Sequence, residues 1–324
     1  MSDELVLRSF AQFFQNHKTM KIVKISLLLM ALAILSCKEN NKGKNAAEEK
    51  IPTETSKIEV QGHRGERGHS PENSIPGFIA AIDKGVDVVE MDVVMSKDGK
   101  VVVSHEPFMS SAYVLTPAGD TISKQQEKDY NLFTMTYDSI KKFDIGSKGN
   151  TAFPEQKRSK TYKPLLSEVI DSIENYIVSN NLDPVHYNIE IKSDPTEYEK
   201  SQPKPAEFVQ VVMQVLEEKG IIPKINIQSF DVAILEEMHQ AYPDVLLAYL
   251  VGSGEFEENM KKISFTPQIY SPYYKLLDQE KVTEIKQSGM KVIPWTVNEQ
   301  ADIDRVKTMK VDGIITDYPE RAIE

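Results

Sequence analysis

The chain has 324 residues, a formal net charge of −11 at pH 7 and a single cysteine. An acidic surface of this kind argues against a nucleic-acid partner and against adhesion to anionic lipid by charge. One cysteine cannot form an internal disulfide, and a chain of this length can build one large domain with a sizeable core.

The N-terminal segment has the pattern of a bacterial lipoprotein signal. Lys21 and Lys24 provide a basic start, and the apolar run at 25–35 is too short to cross the ~30 Å of hydrocarbon in a bilayer. The tetrapeptide Ile-Leu-Ser-Cys that ends at Cys37 resembles a lipobox. We therefore predict that residues 1–36 are a signal segment and that Cys37 carries a lipid.

The residues on either side of this signal predict where the protein starts and where it is held. Asp3 and Glu4 do not suit a signal, so we expect translation to start at Met20. Residues 37–56 contain almost nothing apolar and predict a lipidated cysteine followed by a disordered tether. We expect the folded protein outside the cytoplasm, held at the membrane of the bacterial cell envelope by its lipid anchor, and Lys38 favours the outer membrane.

From residue 57 to 324, short runs of β-forming residues alternate with helical patterns. The predicted strands, apart from a hairpin return at 101–104, are at 58–62, 87–95, 187–191, 225–228, 245–250, 268–270, 291–296 and 313–316. The predicted helices are at 74–84, 165–179, 205–219, 231–241, 278–288 and 299–309, with Asn73 as the N-cap of the first. Eight β/α units predict an α/β fold, the TIM (β/α)8 barrel, in which active sites gather at the carboxyl ends of the strands. The polar, irregular stretch at about 107–163 predicts an inserted loop or subdomain near the active-site mouth.

The first candidate catalytic residues lie at the end of the first predicted strand. His63 and His105 supply imidazoles that can move protons near neutral pH, and Arg64 supplies a guanidinium that can bind a phosphate through two hydrogen bonds. The acidic residues between them can hold a hard cation. This collection predicts hydrolysis of a phosphate ester assisted by a divalent cation, with His63, His105 and Arg64 as catalytic residues.

Carboxylates occupy alternate positions in two predicted strands. Glu90 and Asp92 lie on one face of a strand whose apolar flanks predict burial on both sides. A solvated pair is the alternative, but a buried carboxylate requires a cation or hydrogen-bond donors. Glu190 and Lys192 repeat the spacing, with an interior salt bridge as their alternative role. We predict that Glu90, Asp92 and Glu190 bind Ca²⁺ or Mg²⁺ and that Lys192 contacts the phosphate; the lack of a histidine or cysteine cluster argues against zinc.

The Asp98-Gly99 pair predicts a tight turn between the strand that carries Asp92 and its antiparallel return. Asp-Gly tolerates the positive φ angles that a two-residue type I′ turn requires. A turn centred on these two residues pairs Asp92 with His105 across the ladder. This pairing is the geometric reason for placing His105 in the site.

The residues of these motifs and their order along the chain resemble those of the glycerophosphodiester phosphodiesterase family. The signature of that family is HRG, PEN(T/S), E-x-D, DG and H(D/E), in this order. The corresponding motifs here are His63-Arg64-Gly65, Pro71-Glu72-Asn73, Glu90-x-Asp92, Asp98-Gly99 and His105-Glu106. Segments at 190–192, 227–231, 292–298 and 312–319 are similar to later family motifs, so the resemblance covers roughly 58–322. Glu106 in place of the usual aspartate and Ser74 in place of the commoner threonine are departures that remove no proton carrier or predicted metal ligand.

The resemblance implies metal-dependent hydrolysis of a small-molecule substrate, a glycerophosphodiester, to sn-glycerol 3-phosphate and an alcohol. One of His63 and His105 would take a proton from the attacking oxygen, and the other would protonate the leaving alkoxide. Trp295 ends a predicted strand at the mouth, where we predict contact with the substrate, with core packing as the alternative. The segment at 312–319 is assigned to barrel closure rather than to chemistry.

Two other functions remain open from the sequence. A phospholipase that acts on intact lipid head groups is favoured if apolar residues of the 107–163 stretch form a hydrophobic rim: Phe108, Met109, Tyr113, Val114 and Leu115. A surface lipoprotein that binds a phosphodiester without turnover is the second, but binding alone does not need two proton carriers. No feature of the sequence predicts an oligomeric state.

Overall fold

The computed structural model describes residues 57–323, so the predicted signal segment, Cys37 and the tether lie outside the described residues. The strands are β1 (Glu59–Gly62), β2 (Val88–Met95), β3 (Val101–Val103), β4 (His186–Ile191), β5 (Ile225–Ser229), β6 (Leu246–Val251), β7 (Ile269–Pro272), β8 (Lys291–Val292) and β9 (Gly313–Thr316). The α-helices are α1 (Ile75–Lys84), α2 (Tyr137–Ile140), α3 (Leu166–Asn180), α4 (Pro205–Glu218), α5 (Val232–Ala241), α6 (Phe256–Met260), α7 (Gln279–Gln287) and α8 (Gln300–Thr308). None of the helices within 57–323 is long and apolar enough to cross a bilayer.

Parallel strands form the wall of a barrel. Neighbours along the wall are, in order, β8, β7, β6, β5, β4, β2, β1 and β9, with β3 attached to β2 outside this path. Backbone hydrogen bonds from Asp312 N to Val292 O (2.9 Å) and from Ile315 N to Pro294 O (3.0 Å) bring β9 beside the β8 segment and nearly close the wall. Helices alternate with these strands along the chain, so the predicted TIM barrel is confirmed.

Strand β8 is shorter than predicted. The regular strand ends at Val292 rather than at residue 296, because Pro294 has no N–H to donate to a ladder. Ile293 N and Trp295 N still donate to carbonyl oxygens of β7, each at 3.1 Å. The chain therefore continues along the barrel wall and carries Trp295 to the mouth.

Burial of apolar side chains holds the strands in place. All eight residues of β2 are buried, as expected for a parallel strand that is covered on both faces. Helix α3 packs against the strands through Val169, Ile170, Ile173 and Ile177, which share one helix face. Fully burying such a side chain stabilises the fold by roughly 1.5–3 kcal/mol. Polar residues at the carboxyl ends of the strands are thereby held at defined positions.

The start of α1 differs from the prediction by one residue. Ser74 is the N-cap, and its Oγ accepts from Gly77 N at 3.1 Å. Asn73 has a left-handed backbone (φ 50°). Its Nδ2 donates to Asp92 Oδ2 at 2.8 Å, and its Oδ1 accepts from Asp92 N at 3.2 Å. The predicted N-cap at Asn73 is therefore wrong, because this side chain binds β2 instead of the helix.

The hairpin between β2 and β3 has a longer turn than predicted. Val93 pairs with Val103. Within the turn at 96–100, Gly99 has a positive φ of 70°, whereas Asp98 does not. Gly99 N donates to Ser96 O at 3.1 Å. This is the pattern of a three-residue turn that ends in a left-handed residue, so the predicted type I′ turn is wrong.

The longer turn also changes the partner of Asp92. Ser104 N donates to Asp92 O at 2.9 Å, so Asp92 lies opposite Ser104 and the predicted pair with His105 is wrong. His105 follows the end of β3 and belongs to a loop. The position of this loop, rather than a strand face, brings His105 toward the site.

The chain between β3 and α3, residues 104–165, is called the insertion below and has a small apolar core of its own. This core rests on Val94 and Val102 of the hairpin, and its buried members are Met109, Tyr113, Val114, Ile122, Leu132, Tyr137, Ile140, Phe143 and Ile145. The predicted rim residues Met109, Tyr113 and Val114 are at most 5% exposed, because they lie in this core. These three residues therefore do not form the hydrophobic rim that would favour a phospholipase.

Candidate active site

A cavity of about 140 Å³ lies at the carboxyl ends of the barrel strands. The predicted site residues in its lining are His63, Arg64, Glu90, His105, Glu190, Lys192 and Trp295. Asp92 is buried beside them and does not line the cavity. Arg67, Gln228 and Phe230 also line it, although the sequence analysis assigned them no role.

Three buried carboxylates lie together at this cavity, two of them, Glu90 and Glu190, in its lining. Glu90 and Asp92 come from β2 and Glu190 comes from β4, and each offers an oxygen within 4.8 Å of the other two. The parallel register pairs Asp92 directly with Glu190, so residues from distant parts of the chain become neighbours. All three residues are at most 7% exposed. The predicted ligand set is therefore assembled on adjacent strands.

The chemistry of this group fits a hard divalent cation. Burial, followed by the charges of Asp92 and Glu190, raises the pKa of Glu90 well above its usual value. Burial also raises the pKa of Glu190. Asp92 Oδ1 is buried without a hydrogen-bond partner among the described residues, with Lys192 Nζ 3.7 Å away. A cation would compensate these crowded oxygens, and carboxylate oxygens are the donors that Ca²⁺ and Mg²⁺ prefer.

Hydrogen-bond donors orient two of the three acids. Glu90 Oε2 accepts from Arg64 N at 2.8 Å, and its Oε1 accepts from Gln228 Nε2 at 2.9 Å. Asp92 Oδ2 accepts from Asn73 Nδ2 and lies 3.3 Å from Arg64 Nε. Burial by itself raises the pKa of Asp92, but the surrounding cations, Arg64 first, lower it below its usual value. Asp92 is therefore an anion even before a cation binds.

The turn at His63-Arg64-Gly65 needs a glycine at its third position. Gly65 has a φ of 88°, and a Cβ built there would lie 2.6 Å from the carbonyl of Gly77 in α1. A larger residue would separate this turn from the helix. The close approach holds the backbone of Arg64, which is itself left-handed with a φ of 53°.

Two carboxylates hold the guanidinium of Arg64. Its Nη1 donates to Glu72 Oε1 at 2.8 Å, and its Nε faces Asp92. Glu72 Oε2 accepts in turn from Arg67 Nε at 2.9 Å. Burial by itself lowers the pKa of Arg64, but Asp92 and Glu72 raise it above its usual value. Arg64 is thus a fixed positive charge at the cavity wall.

His63 follows β1 and lies against the end of β9. Its Nδ1 is 2.7 Å from Asp317 Oδ1. Because an ionised carboxylate can only accept, Nδ1 carries the proton. Burial lowers the pKa of His63, with Asp317 acting in the opposite direction. Burial raises the pKa of Asp317, but His63 and Arg67 lower it to about 2. The pair leaves Nε2 of a neutral ring available to accept a proton.

His105 has a similar partner from its own loop. Its Nδ1 lies 3.2 Å from Glu106 Oε1. Burial by itself raises the pKa of Glu106, but His105 and Lys163 lower it below its usual value. The ionised carboxylate accepts from Nδ1, so Nε2 is again the nitrogen that is left free.

The sequence analysis left two possible roles open for both Lys192 and Trp295. Lys192 Nζ donates to Glu190 Oε1 at 2.7 Å, so the interior salt bridge is present, and Lys192 lines the cavity as well. Trp295 Nε1 donates to Ser271 O at 2.9 Å. Its ring meets Phe230 edge-on, with 5.3 Å between the ring centroids. The two aromatic rings form an apolar part of the cavity wall, and Lys192 Nζ lies 5.8 Å from the centroid of the Phe230 ring.

A second acidic group lies outside this cavity. Glu66, His69 and Glu320 offer ligand atoms within 4.8 Å of one another. Lys84 Nζ lies 3.4 Å from Glu66 Oε1, and His69 Nε2 lies 3.1 Å from Glu320 Oε1. Glu90, Asp92 and Glu190 are the better cation site, because all three are buried and Asp92 Oδ1 has no hydrogen-bond partner within the described part of the chain, whereas the side chains of His69 and Glu320 are partly exposed.

Comparisons with known proteins identify the family. The model of the glycerophosphoryl diester phosphodiesterase family matches residues 63–321. The chain belongs to this family. Glycerophosphodiester phosphodiesterases of Caldanaerobacter subterraneus and Bacillus subtilis are 29% and 27% identical to it, over 82% and 94% of this chain and 96% and 97% of their own. The predictions of the family and of an enzyme are confirmed.

Solved structures of similar proteins have the same fold. A candidate glycerophosphoryl diester phosphodiesterase from Silicibacter pomeroyi superposes with a TM-score of 0.73 at 31% identity, over 82% of this chain and 92% of its own. A phosphodiesterase from Oleispira antarctica, solved in complex with the product sn-glycerol-3-phosphate, has a TM-score of 0.63 at 22% identity, over 82% of this chain and 94% of its own.

Sequence reasoning did not assign several residues of this phosphodiesterase site. The segment at 312–319 was assigned to barrel closure alone, yet Asp317 within it binds His63. An acid directly after a predicted strand was the available signal. Glu72 lies in a recognised motif and received no role, although it holds Arg64. Gln228 carries no charge, and nothing in its local sequence indicates that it binds Glu90.

Proposed function

We propose that this protein hydrolyses glycerophosphodiesters to sn-glycerol 3-phosphate and an alcohol, in a reaction that requires a divalent cation. The observation that carries the proposal is one cavity lined by two imidazoles, each hydrogen-bonded to a carboxylate, with a cluster of three buried carboxylates beside them. Binding alone does not need two proton carriers, so this arrangement favours catalysis. The names of the relatives, and the product bound to the Oleispira protein, support this substrate class.

Charge on the phosphate would be compensated from two sides. Glu90, Asp92 and Glu190 would hold Ca²⁺ or Mg²⁺, which supplies a Lewis acid for the phosphate oxygens. Arg64 and Lys192 add positive charges from the protein. Each of these two cations already donates to a carboxylate, Glu72 or Glu190, so they are oriented before the substrate binds.

His63 and His105 would move the protons. Because Nδ1 of each ring donates to a carboxylate, Nε2 of each ring is the nitrogen that acts on the substrate. One histidine takes the proton of the attacking oxygen, and its carboxylate partner stabilises the imidazolium that forms. The other histidine would enter the step as the imidazolium, protonated on both nitrogens, and give its Nε2 proton to the leaving alkoxide. The bond between phosphorus and the alcohol oxygen then breaks without releasing an unprotonated alkoxide.

Release of sn-glycerol 3-phosphate from glycerophosphocholine tests this function. We expect release in the presence of Ca²⁺ or Mg²⁺, loss of activity after treatment with EDTA, and recovery when the ion is restored. Full activity after thorough removal of metals would exclude the cation. If neither Ca²⁺ nor Mg²⁺ supports release of sn-glycerol 3-phosphate, the proposed function is excluded. Cleavage of lysophosphatidylcholine but not of glycerophosphocholine would support the phospholipase alternative.

We also propose that a lipid on Cys37 holds the enzyme at the cell envelope, outside the cytoplasm. The support is the sequence pattern at 20–37, which lies outside the described residues. The Cys37→Ser variant should move from the membrane fraction to the soluble fraction. Unchanged membrane association would contradict the anchor. In a Gram-negative host, separation of inner and outer membranes tests the effect of Lys38.

A further inference from the structure

The two ends of the insertion meet next to His105. Ser104 and Glu106 begin the insertion, and Lys163 lies near its other end. Val103 N donates to Pro164 O at 2.8 Å, which fixes that end beside β3. Lys163 is only 2% exposed and lies within hydrogen-bond distance of Ser104. A lysine in such a position needs a reason, because burial of its amine is costly.

Hydrogen bonds lead from this lysine to the histidine by two routes. Lys163 Nζ donates to Ser104 Oγ at 2.7 Å and to Tyr113 OH at 3.4 Å. Each hydroxyl then donates to Glu106: Tyr113 OH to Oε2 at 2.7 Å, and Ser104 Oγ to the backbone carbonyl at 2.6 Å. Glu106 Oε1 remains to accept from Nδ1 of His105. Both the side chain and the backbone of Glu106 are therefore held.

The position of His105 makes this support necessary. Its side chain is 31% exposed and belongs to a loop, so packing alone does not fix the ring. Tyr113, in contrast, is held in the apolar core of the insertion. A carboxylate that accepts at both oxygens has one orientation, and that orientation is passed on to the imidazole. Neither Tyr113 nor Lys163 lines the cavity, so each would act through Glu106.

We propose that Tyr113 and Lys163 position His105 for proton transfer through Glu106, so that the insertion supplies part of the active site. This inference rests on the proposed function, which gives His105 its role. Both are positioning residues, because neither contacts the reacting atoms.

The test uses two tyrosines of the same apolar core. Tyr113→Phe removes the hydroxyl that donates to Glu106. Tyr137→Phe is the matched control, because Tyr137 OH also donates to a carboxylate at 2.7 Å, that of Glu168, away from the cavity. We expect Tyr113→Phe to lower kcat by about 10-fold or more with KM unchanged, since a misplaced catalytic group lowers the rate steeply. Tyr137→Phe should leave kcat unchanged. Lys163→Met should act like Tyr113→Phe.

A second background separates positioning from general damage. In a His105→Ala enzyme, Tyr113→Phe should cause no further loss of kcat, because the group that it positions is gone. An equal loss in both backgrounds would overturn the proposal. Equal effects of the two tyrosine variants would overturn it as well.

A spectroscopic measurement makes the outcome independent of turnover. The ¹⁵N shifts of the His105 imidazole, identified by their loss in His105→Ala, should report a proton on Nδ1 in the unmodified protein and in Tyr137→Phe. In Tyr113→Phe and Lys163→Met this preference should weaken. Unchanged shifts together with an active enzyme would refute the positioning role and leave the proposed function intact. An inactive unmodified enzyme would refute the proposed function itself.

Discussion

The two histidines share one cavity but are supported by different regions of the molecule. His63 is bonded to Asp317 at the end of β9, and Asp317 Oδ2 accepts from Asn298 Nδ2 at 2.7 Å, so its support is the barrel itself. His105 is bonded to Glu106, whose own partners come from the insertion. The side chain of His63 is 12% exposed, against 31% for His105. The position of His63 is thus determined by barrel closure, whereas that of His105 depends on a segment outside the barrel.

The largest expected effect belongs to the proposed cation site, Glu90, Asp92 and Glu190, which lies beside both histidines. Glu190→Gln should weaken this site, so activity at limiting Ca²⁺ or Mg²⁺ should fall by more than the roughly 10- to 100-fold that follows loss of an outer partner of a metal ligand. Excess cation should restore part of the lost activity. A titration of rate against cation concentration measures the shift. Glu207→Gln, an exposed change on α4, is the control. An unchanged titration curve for Glu190→Gln would remove Glu190 from the ligand set.

Replacing each histidine should sharpen the contrast between the two supports. His63→Ala and His105→Ala should each lower kcat by about 10²-fold or more, the usual scale of general acid–base catalysis. Only His63→Ala should also lower stability, by ~1–3 kcal/mol, since it removes the hydrogen-bond donor of the buried Asp317 Oδ1. Single-turnover rates and urea unfolding measure the two effects. A well-folded His105→Ala enzyme with near-normal turnover would remove His105 from the mechanism.

The smallest effect concerns acid stability on the barrel side. The pKa of Asp317 falls from 3.8 to about 2 on folding, so its contribution is fully present above pH 3.8 and is lost as pH falls toward 2. The expected loss is ~2 kcal/mol across this window. His63 acts in the same direction at higher pH, because burial lowers its pKa below 6.5 and stability decreases as pH falls through that value. Urea unfolding between pH 4 and 2, the window of Asp317, should show a smaller acid loss in Asp317→Asn than in the unmodified protein or in Asp244→Asn, an exposed control. If stability falls equally with pH in all three proteins, the ion pair of His63 and Asp317 does not contribute to acid stability.

The sequence by itself determined the barrel and the base of the site. Strand alternation and helix periodicity are local properties, and they located the strands to within a few residues, apart from β8, which Pro294 shortens. The two-residue repeat of a strand was sufficient to place Glu90 and Asp92 on one face. Register between strands was not local: the conformation of Gly99 lengthened the turn and moved Asp92 opposite Ser104.

Only the tertiary structure decided which groups support the histidines. Asp317 lies 254 residues after His63, and the two meet because the last strand closes against the first. Tyr113 and Lys163 lie in an insertion without periodicity, and they meet Glu106 because that segment folds around its own apolar core. Local patterns report which face a residue occupies, whereas partners so distant in sequence are determined by the packing of the whole chain.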